Sequence, residues 1–179
     1  TEDELEDFYG SLGEIYKDNV DIIMCESMSS IFEGSNASRL AKEFSERVWL
    51  SWTNRGHQPD QLPSTEALSK AVDFSIEADV ECTLINCSHA DMASNSIKEL
   101  KRASRFGIFA NSSTFKEVDL SIATKDVDAI HHQNSEKISA KEYAMIALSW
   151  IKEGAFVVGG CCGTTVEHTR EIKLLMDSL

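Results

Sequence analysis

The segment VVGGCCGTT, residues 157–165, places two adjacent cysteines between pairs of small residues, after an apolar run and before a predicted helix. Adjacent cysteines rarely bond to each other, because the small disulfide ring strains the peptide between them. Either Cys161 and Cys162 are small residues in a tight turn, or both thiols are directed at the same third group and bind it. The flanking glycines favour the second interpretation, because they let the backbone turn sharply enough for neighbouring side chains to reach one ion.

A third cysteine, Cys87, ends the apolar run of residues 81–87. If the two runs are neighbouring parallel strands, Cys87 meets Cys161 and Cys162 at one edge of the sheet. Three thiolates on one side of a soft divalent ion form a zinc site with one open position, which permits catalysis. Taken alone, Cys87 is as well explained as a buried structural thiol. Cys25 and Cys82 are predicted to be core residues from their strand positions.

For other reactive or aromatic side chains, a structural role has to be weighed against a functional one. Glu26 follows an apolar strand, where a carboxylate is expected to have a function or an ion-pair partner. Trp52 could stack on a cationic ligand, but packing is the favoured interpretation. His131 and His132 lie in a polar loop and are predicted to be solvated rather than metal-binding. His168 is predicted to lie on a helix surface.

Composition limits the class of protein. The chain has 179 residues, enough for one domain, and a formal net charge of −13. That charge repels phosphates, which argues against nucleic-acid binding and against anionic membranes. No apolar run approaches the ~18 residues that span a bilayer. The odd number of cysteines, 5, and the lack of a secretory leader predict free thiols or metal ligands in a reducing compartment, the cytoplasm.

Apolar periodicity predicts alternating helices and strands. Two capping boxes, Ser139–Glu142 and Thr164–Glu167, are predicted to open the last two helices. Residues 114–137 are polar and predict a long loop with a short strand or turn. Helices are predicted over about 1–19, 35–46, 64–76, 93–103, 139–152 and from 165 onward; strands over 20–27, 47–53, 81–87, 106–112 and 155–160.

Such alternation calls for parallel strands joined by right-handed crossovers, in a doubly wound sheet or in part of a (β/α) barrel. No glycine-rich dinucleotide fingerprint follows any strand, so the doubly wound fold lacks its usual signature. Polar or reactive groups follow the strands, as they do at the catalytic face of barrel enzymes. They are Cys25-Glu26-Ser27, Ser51-Trp52-Thr53-Asn54, Asn86-Cys87-Ser88, Asn111-Ser112-Ser113 and Cys161-Cys162.

Several of these segments, in order, resemble the homocysteine S-methyltransferase family. The Gly-Gly-Cys-Cys-Gly-Thr-Thr run is the most specific of them. The sequence departs from the family pattern at several positions: Ser27 stands where threonine is usual, Ala110 and Val166 replace prolines, and Ser88-His89 follows the first cysteine where a proline commonly lies nearby. The matching segments are residues 21–28, 48–53, 85–87, 109–112 and 159–168.

The resemblance implies a zinc-dependent (β/α)8 barrel that methylates the thiol of homocysteine, or a related thiol or selenol, to give methionine. The implied zinc ligands are Cys87, Cys161 and Cys162, with the acceptor thiol in the fourth position. Glu26 matches the acid that holds the amino-acid end of homocysteine, and Asn86 and Asn111 are the other implied substrate-binding residues. The methyl donor, whether a sulfonium, betaine or a methyl-folate, is left open.

The chain matches the last five β/α units of that barrel, and the first three strands are not among its residues. Five units alone would expose two sheet edges, so we expect an upstream segment or another chain to cover them. The alternative function is a non-catalytic zinc-binding module, or a partner subunit of a larger barrel assembly.

Overall fold

The alternating pattern of apolar runs becomes alternating helices and strands in the three-dimensional structure. A computed structural model describes residues 1–56, 58–115 and 135–178. The helices are α1 (Glu2–Tyr16), α2 (Ile31–Phe44), α3 (Leu68–Glu77), α4 (Ala90–Asn95), α5 (Ile97–Leu100), α6 (Ala140–Lys152) and α7 (Val166–Met176). The strands are β1 (Ile23–Met28), β2 (Val48–Trp52), β3 (Cys82–His89), β4 (Phe106–Asn111), β5 (Ser113–Phe115), β6 (Ser135–Lys137) and β7 (Val157–Gly160).

One parallel sheet organises the described part of the chain, with strands in the order β1-β2-β3-β4-β7. Each new strand is added to the same edge, and the order never reverses. A doubly wound sheet reverses its order at a switch point, whereas a barrel adds strands in sequence. The strand order therefore favours the barrel over the doubly wound sheet. A separate antiparallel pair, β5 with β6, follows β4.

The core lies on both faces of this sheet, as the uninterrupted apolar strands predict. Cys25 and Cys82 are 8% and 1% exposed, so their assignment to the core is confirmed. Trp52 is fully buried, and its indole Nε1 donates to Ser75 Oγ at 2.9 Å. It therefore packs in the core, as favoured, and has no exposed face for stacking on a ligand.

The helix boundaries differ from the predicted ones where side chains cap the backbone. Helix α2 starts at Ile31 rather than 35, because the Ser30 hydroxyl accepts from the Glu33 amide. The predicted helix 93–103 is divided into α4 and α5. At the break, the Ser96 hydroxyl lies within hydrogen-bond distance of two carbonyl oxygens, those of Met92 and Pro59, and such bonds compete with the helix.

The two helices nearest the dicysteine segment begin with different caps. The Ser139–Glu142 capping box of α6 is confirmed. The Thr164–Glu167 box is wrong: Thr165 is the N-cap of α7, and its backbone N–H donates to Nδ1 of His168 at 3.1 Å. His168 is consequently buried, at 9% exposed, and not on the surface as predicted.

The sheet has two outer strands in the described structure, β1 and β7. Four of their apolar residues, Ile23, Met24, Val157 and Val158, are only half-buried, whereas Leu84 and Ile108 of the central strands are fully buried. The described helices include none that is both long and apolar enough to cross a membrane.

Candidate metal centre

Three thiols that are distant in sequence meet at the carboxyl ends of β3 and β7. The Sγ atoms of Cys87, Cys161 and Cys162 all lie within 4.8 Å of one another, and those of Cys87 and Cys162 are 3.6 Å apart. Cys87 and Cys161 are half-buried, while Cys162 is exposed. Strands β3 and β7 are not neighbours, as the sequence analysis supposed, because β4 lies between them. Parallel order brings their carboxyl ends to one edge of the sheet, and the thiols meet there across the end of β4.

The spacing of the thiols fits a tetrahedral metal. Zinc–sulfur bonds of about 2.3 Å place two tetrahedral sulfur ligands about 3.8 Å apart. The distance of 3.6 Å between Cys87 and Cys162 is close to that value. The three sulfurs supply one face of a tetrahedron, and the exposure of Cys162 leaves the cluster accessible from solvent. The donor set and its geometry therefore fit zinc with one position for another ligand.

The end of β3 is bent so that Cys87 can reach the cluster. Cys87 has a φ of 53°, in the left-handed region that non-glycine residues rarely adopt. The pairing of β3 with β4 shifts register between Asn86 and His89, around this residue. Ser27, at the end of β1, has a φ of 62° at a similar shift. Strained backbone of this kind is concentrated at functional sites, because it re-aims a side chain.

Asn86 ties together the strand ends beside the thiols. Its Nδ2 donates to Ser27 Oγ at 2.6 Å, and its Oδ1 accepts from the Ser27 backbone N–H at 3.0 Å. The same Oδ1 accepts from the Ser51 hydroxyl at 2.6 Å. Asn86 is fully buried, and these bonds join the ends of β1, β2 and β3, although Ser27 itself is exposed. This network holds the residue directly before Cys87, where the backbone begins to bend.

Asn111 holds the dicysteine turn from the neighbouring strand. Its Oδ1 accepts from the Cys162 backbone N–H at 3.0 Å, and the Cys162 carbonyl accepts from Ser112 N–H at 3.0 Å. Gly163, with a φ of 77°, has no room for a side chain, since a Cβ there would lie 2.7 Å from Ser112 Oγ. The turn that aims Cys161 and Cys162 at one point is therefore fixed by the end of β4.

The thiols influence one another's protonation. A hydrogen bond with Cys87 is the main cause that lowers the pKa of Cys161 to about 6, helped by a backbone hydrogen bond at Cys162 and opposed by burial. The same hydrogen bond, followed by burial, raises the pKa of Cys87. The first of these thiols therefore loses its proton readily, whereas the resulting negative charge opposes deprotonation of the next thiol. A divalent cation would remove that resistance, because it stabilises coordinated thiolates.

Glu26 lies at the end of β1 and is exposed. Within the described ranges no ion pair is formed by Glu26, but its negative charge is close enough to raise the pKa of Cys161. The carboxylate is therefore an available acceptor near the thiols.

The predicted solvation of His131 and His132 concerns residues outside those that the structure describes.

The structure adds residues that sequence reasoning missed. The sequence places Ser51 at a strand end but does not show its hydrogen bond to Asn86, because that bond requires β2 and β3 to be neighbours. Tyr143 lies in an ordinary amphipathic helix, and nothing in the sequence marks it. His168 carried a usable signal, because a side-chain acceptor three residues after Thr165 has the spacing of a capping box.

Comparisons with known proteins agree on one family. The family model described as homocysteine S-methyltransferase matches residues 1–176. The homocysteine S-methyltransferase YbgG of Bacillus subtilis (strain 168) is 26% identical over 183 residues, which cover 100% of this chain and 54% of the relative. The chain thus spans about half the length of the curated relative that it matches.

Solved structures show the same fold. The metallated form of the homocysteine methyltransferase MmuM from Escherichia coli has a TM-score of 0.72 at 19% identity, covering 98% of this chain and 52% of that one. The apo form of the same enzyme gives 0.71 at 18% identity, covering 97% and 57%. The predicted fold class, a five-unit part of a (β/α)8 barrel, is confirmed.

Proposed function

Because this chain belongs to the homocysteine S-methyltransferase family, we propose that it takes part in the zinc-dependent transfer of a methyl group to the thiol of homocysteine, giving methionine. The observation that carries this proposal is the cluster of three thiols, all within 4.8 Å of one another, at the carboxyl edge of the sheet. The relative that this chain matches is about twice as long as the chain. The activity is therefore proposed for a complete barrel that contains the chain, and not for residues 1–179 alone.

The proposed zinc ligands are Cys87, Cys161 and Cys162. Bound there, zinc would lower the pKa of the acceptor thiol, so that the acceptor reacts as a thiolate at neutral pH. The chain's own contribution is a set of three ligands already aimed at one point. We also propose a reducing compartment, the cytoplasm, because in an oxidising one Cys87 and Cys162, with sulfurs 3.6 Å apart, would be free to form a disulfide.

We propose Glu26 and Asn111 as substrate-binding residues, whereas Asn86, predicted together with them, is fully buried and is proposed to position Cys87 instead. The exposed carboxylate of Glu26 suits the ammonium group of an amino-acid acceptor. Asn111 holds the Cys162 amide, and Asn86 joins the strand ends beside Cys87. Together they would fix the acceptor's orientation while its sulfur lies beside the thiols.

The methyl transfer forms a bond between the acceptor sulfur and the methyl carbon. The bond from that carbon to the donor heteroatom breaks, and its electron pair leaves with the donor. The thiol proton is released before attack. A sulfonium, such as S-methylmethionine or S-adenosylmethionine, leaves as a neutral thioether, and betaine leaves as a neutral amine. A methyl-folate, the third proposed donor, leaves as a neutral amine only if its methyl-bearing nitrogen is protonated before the transfer.

A cobalt-loaded form of the protein tests the acceptor. Homocysteine is expected to change the thiolate-to-cobalt absorption and to saturate at about one equivalent, because its thiol joins the cluster. Homoserine is the matched control, since it replaces only the thiol by a hydroxyl and should leave the absorption unchanged. If the protein binds cobalt and homocysteine has no effect, the non-catalytic zinc module replaces the proposed enzyme.

We further propose that the chain acts as the C-terminal portion of a barrel that an upstream segment or a second chain completes. The half-buried apolar residues of β1 and β7 support this, because sheet edges of this kind are normally paired or covered. Light scattering on residues 1–179 alone is expected to show association. A monodisperse monomer would contradict the proposal.

A further inference from the structure

Tyr143 places a buried hydroxyl beside the backbone that leads into the turn containing Cys161 and Cys162. The side chain comes from α6 and is fully buried. Its hydroxyl oxygen lies 2.8 Å from the Ala110 carbonyl oxygen of β4 and 2.7 Å from that of Gly159 in β7. Burial raises the pKa of Tyr143, so the hydroxyl keeps its proton and remains a donor. One side chain therefore contacts β7, which leads into Cys161, and its neighbour β4.

The contact with Ala110 coincides with a backbone hydrogen bond at the end of β7. The Cys161 backbone N–H donates to the Ala110 carbonyl at 2.8 Å, in a register that pairs Ala110 with Gly160. The Ala110 oxygen is thus within reach of two donors, and a carbonyl has two lone pairs to accept both. The Tyr143 hydroxyl fixes the backbone at the point where β7 ends and the metal-site turn begins.

His168 holds the other end of the same turn. Its Nδ1 accepts from the Thr165 backbone N–H at 3.1 Å, so the first residues of α7 are tied to the turn. The imidazole is 9% exposed and meets the ring of Tyr143 edge to face, with ring centroids 5.6 Å apart. The two side chains thus form one buried pair that contacts the backbone at Gly159 and at Thr165.

We propose that Tyr143 and His168 are positioning residues that pre-organise the metal ligands Cys161 and Cys162, an inference that rests on the proposed function. The pair anchors both ends of segment 159–165, which contains the two cysteines and Gly163. Neither side chain contacts the metal position. Each acts through the backbone, in the way that outer-shell partners orient ligands at metal sites and set metal affinity.

Four single variants test this inference. Tyr143→Phe removes one oxygen and keeps the ring, while Tyr9→Phe is the matched control, because the Tyr9 hydroxyl contacts Glu33 at 3.5 Å, away from the thiols. His168→Leu removes the acceptor. His168→Gln restores one, since glutamine at this position of a capping box also accepts from the N-cap amide.

The measurements are zinc affinity by chelator competition, the cobalt absorption spectrum, and hydrogen exchange of the Cys161 and Cys162 amides in the metal-free protein. Tyr143→Phe and His168→Leu are expected to weaken zinc binding about tenfold, to alter the cobalt spectrum and to speed amide exchange. His168→Gln and Tyr9→Phe should match the unmodified protein in all three.

The inference is overturned if Tyr143→Phe and His168→Leu keep the affinity, the spectrum and the exchange rates of the unmodified protein. It is also overturned if His168→Gln is as impaired as His168→Leu, since the histidine would then act by packing alone. Failure of the proposed function looks different. In that case the unmodified protein binds no metal, or homocysteine leaves the cobalt spectrum unchanged, while the exchange rates still report on the pair.

Discussion

Replacing Cys162 by serine is expected to lower zinc affinity by more than about 100-fold, since even outer-shell partners of a metal site contribute 10–100-fold. A serine hydroxyl stays protonated at neutral pH and is a poor zinc ligand beside two thiolates. Because Cys162 is exposed, the change leaves the core intact, and the loss reports on coordination rather than on folding. Zinc content after dialysis and chelator competition measure the effect.

Cys82→Ala is the matched control for that variant. Cys82 is a thiol on the same strand as Cys87, but it is buried in the core at 1% exposed and lies outside the cluster. It should keep its zinc, with only a modest loss of stability. Equal zinc binding by Cys162→Ser and the unmodified chain would show that the metal is not held by these three thiols.

Replacing Asn86 by alanine is expected to lower the free energy of unfolding by about 2–4 kcal/mol, because buried polar groups left without a partner cost about 1–3 kcal/mol each. The change leaves the Ser51 hydroxyl and the Ser27 amide without the acceptor that they share. It also frees the bent backbone at Cys87, so zinc affinity should fall with stability. Urea unfolding of the metal-free protein, followed by chelator competition, gives both quantities.

Asn36→Ala separates this network from the general cost of removing a buried asparagine. Asn36 is 5% exposed, and its side chain donates to the Phe32 carbonyl within its own helix. We expect that variant to change stability by about 1 kcal/mol or less, because a local helix contact is lost and alanine favours the helix. Equal losses for Asn36→Ala and Asn86→Ala would contradict a special role for the strand-end network.

The fold could be predicted from local sequence patterns because its elements are strongly periodic. Continuous apolar runs marked the parallel strands, and the Ser139–Glu142 pair marked the start of α6. The predictions were wrong at helix boundaries that depend on a single side-chain hydrogen bond. Two examples are Ser30, which starts α2 early, and His168, which replaces Glu167 in the cap of α7. Several side chains could form such bonds, and only packing selects among them.

The sequence by itself determined which residues could bind a metal. Two adjacent cysteines between glycines at a strand end, with a third thiol at another strand end, leave few other uses for these side chains. Strand order then follows from the alternation of helices and strands, because consecutive parallel units in a barrel lie side by side.

Only the tertiary structure decided how those residues are held. Asn86 meets Ser27 across 59 positions, and Tyr143 meets Ala110 across 33. The left-handed backbone of Cys87 also has no local signal, since cysteine does not favour that conformation. The physical reason is that metal ligands follow from residue type, whereas their orientation depends on hydrogen bonds between chain segments that come together only on folding.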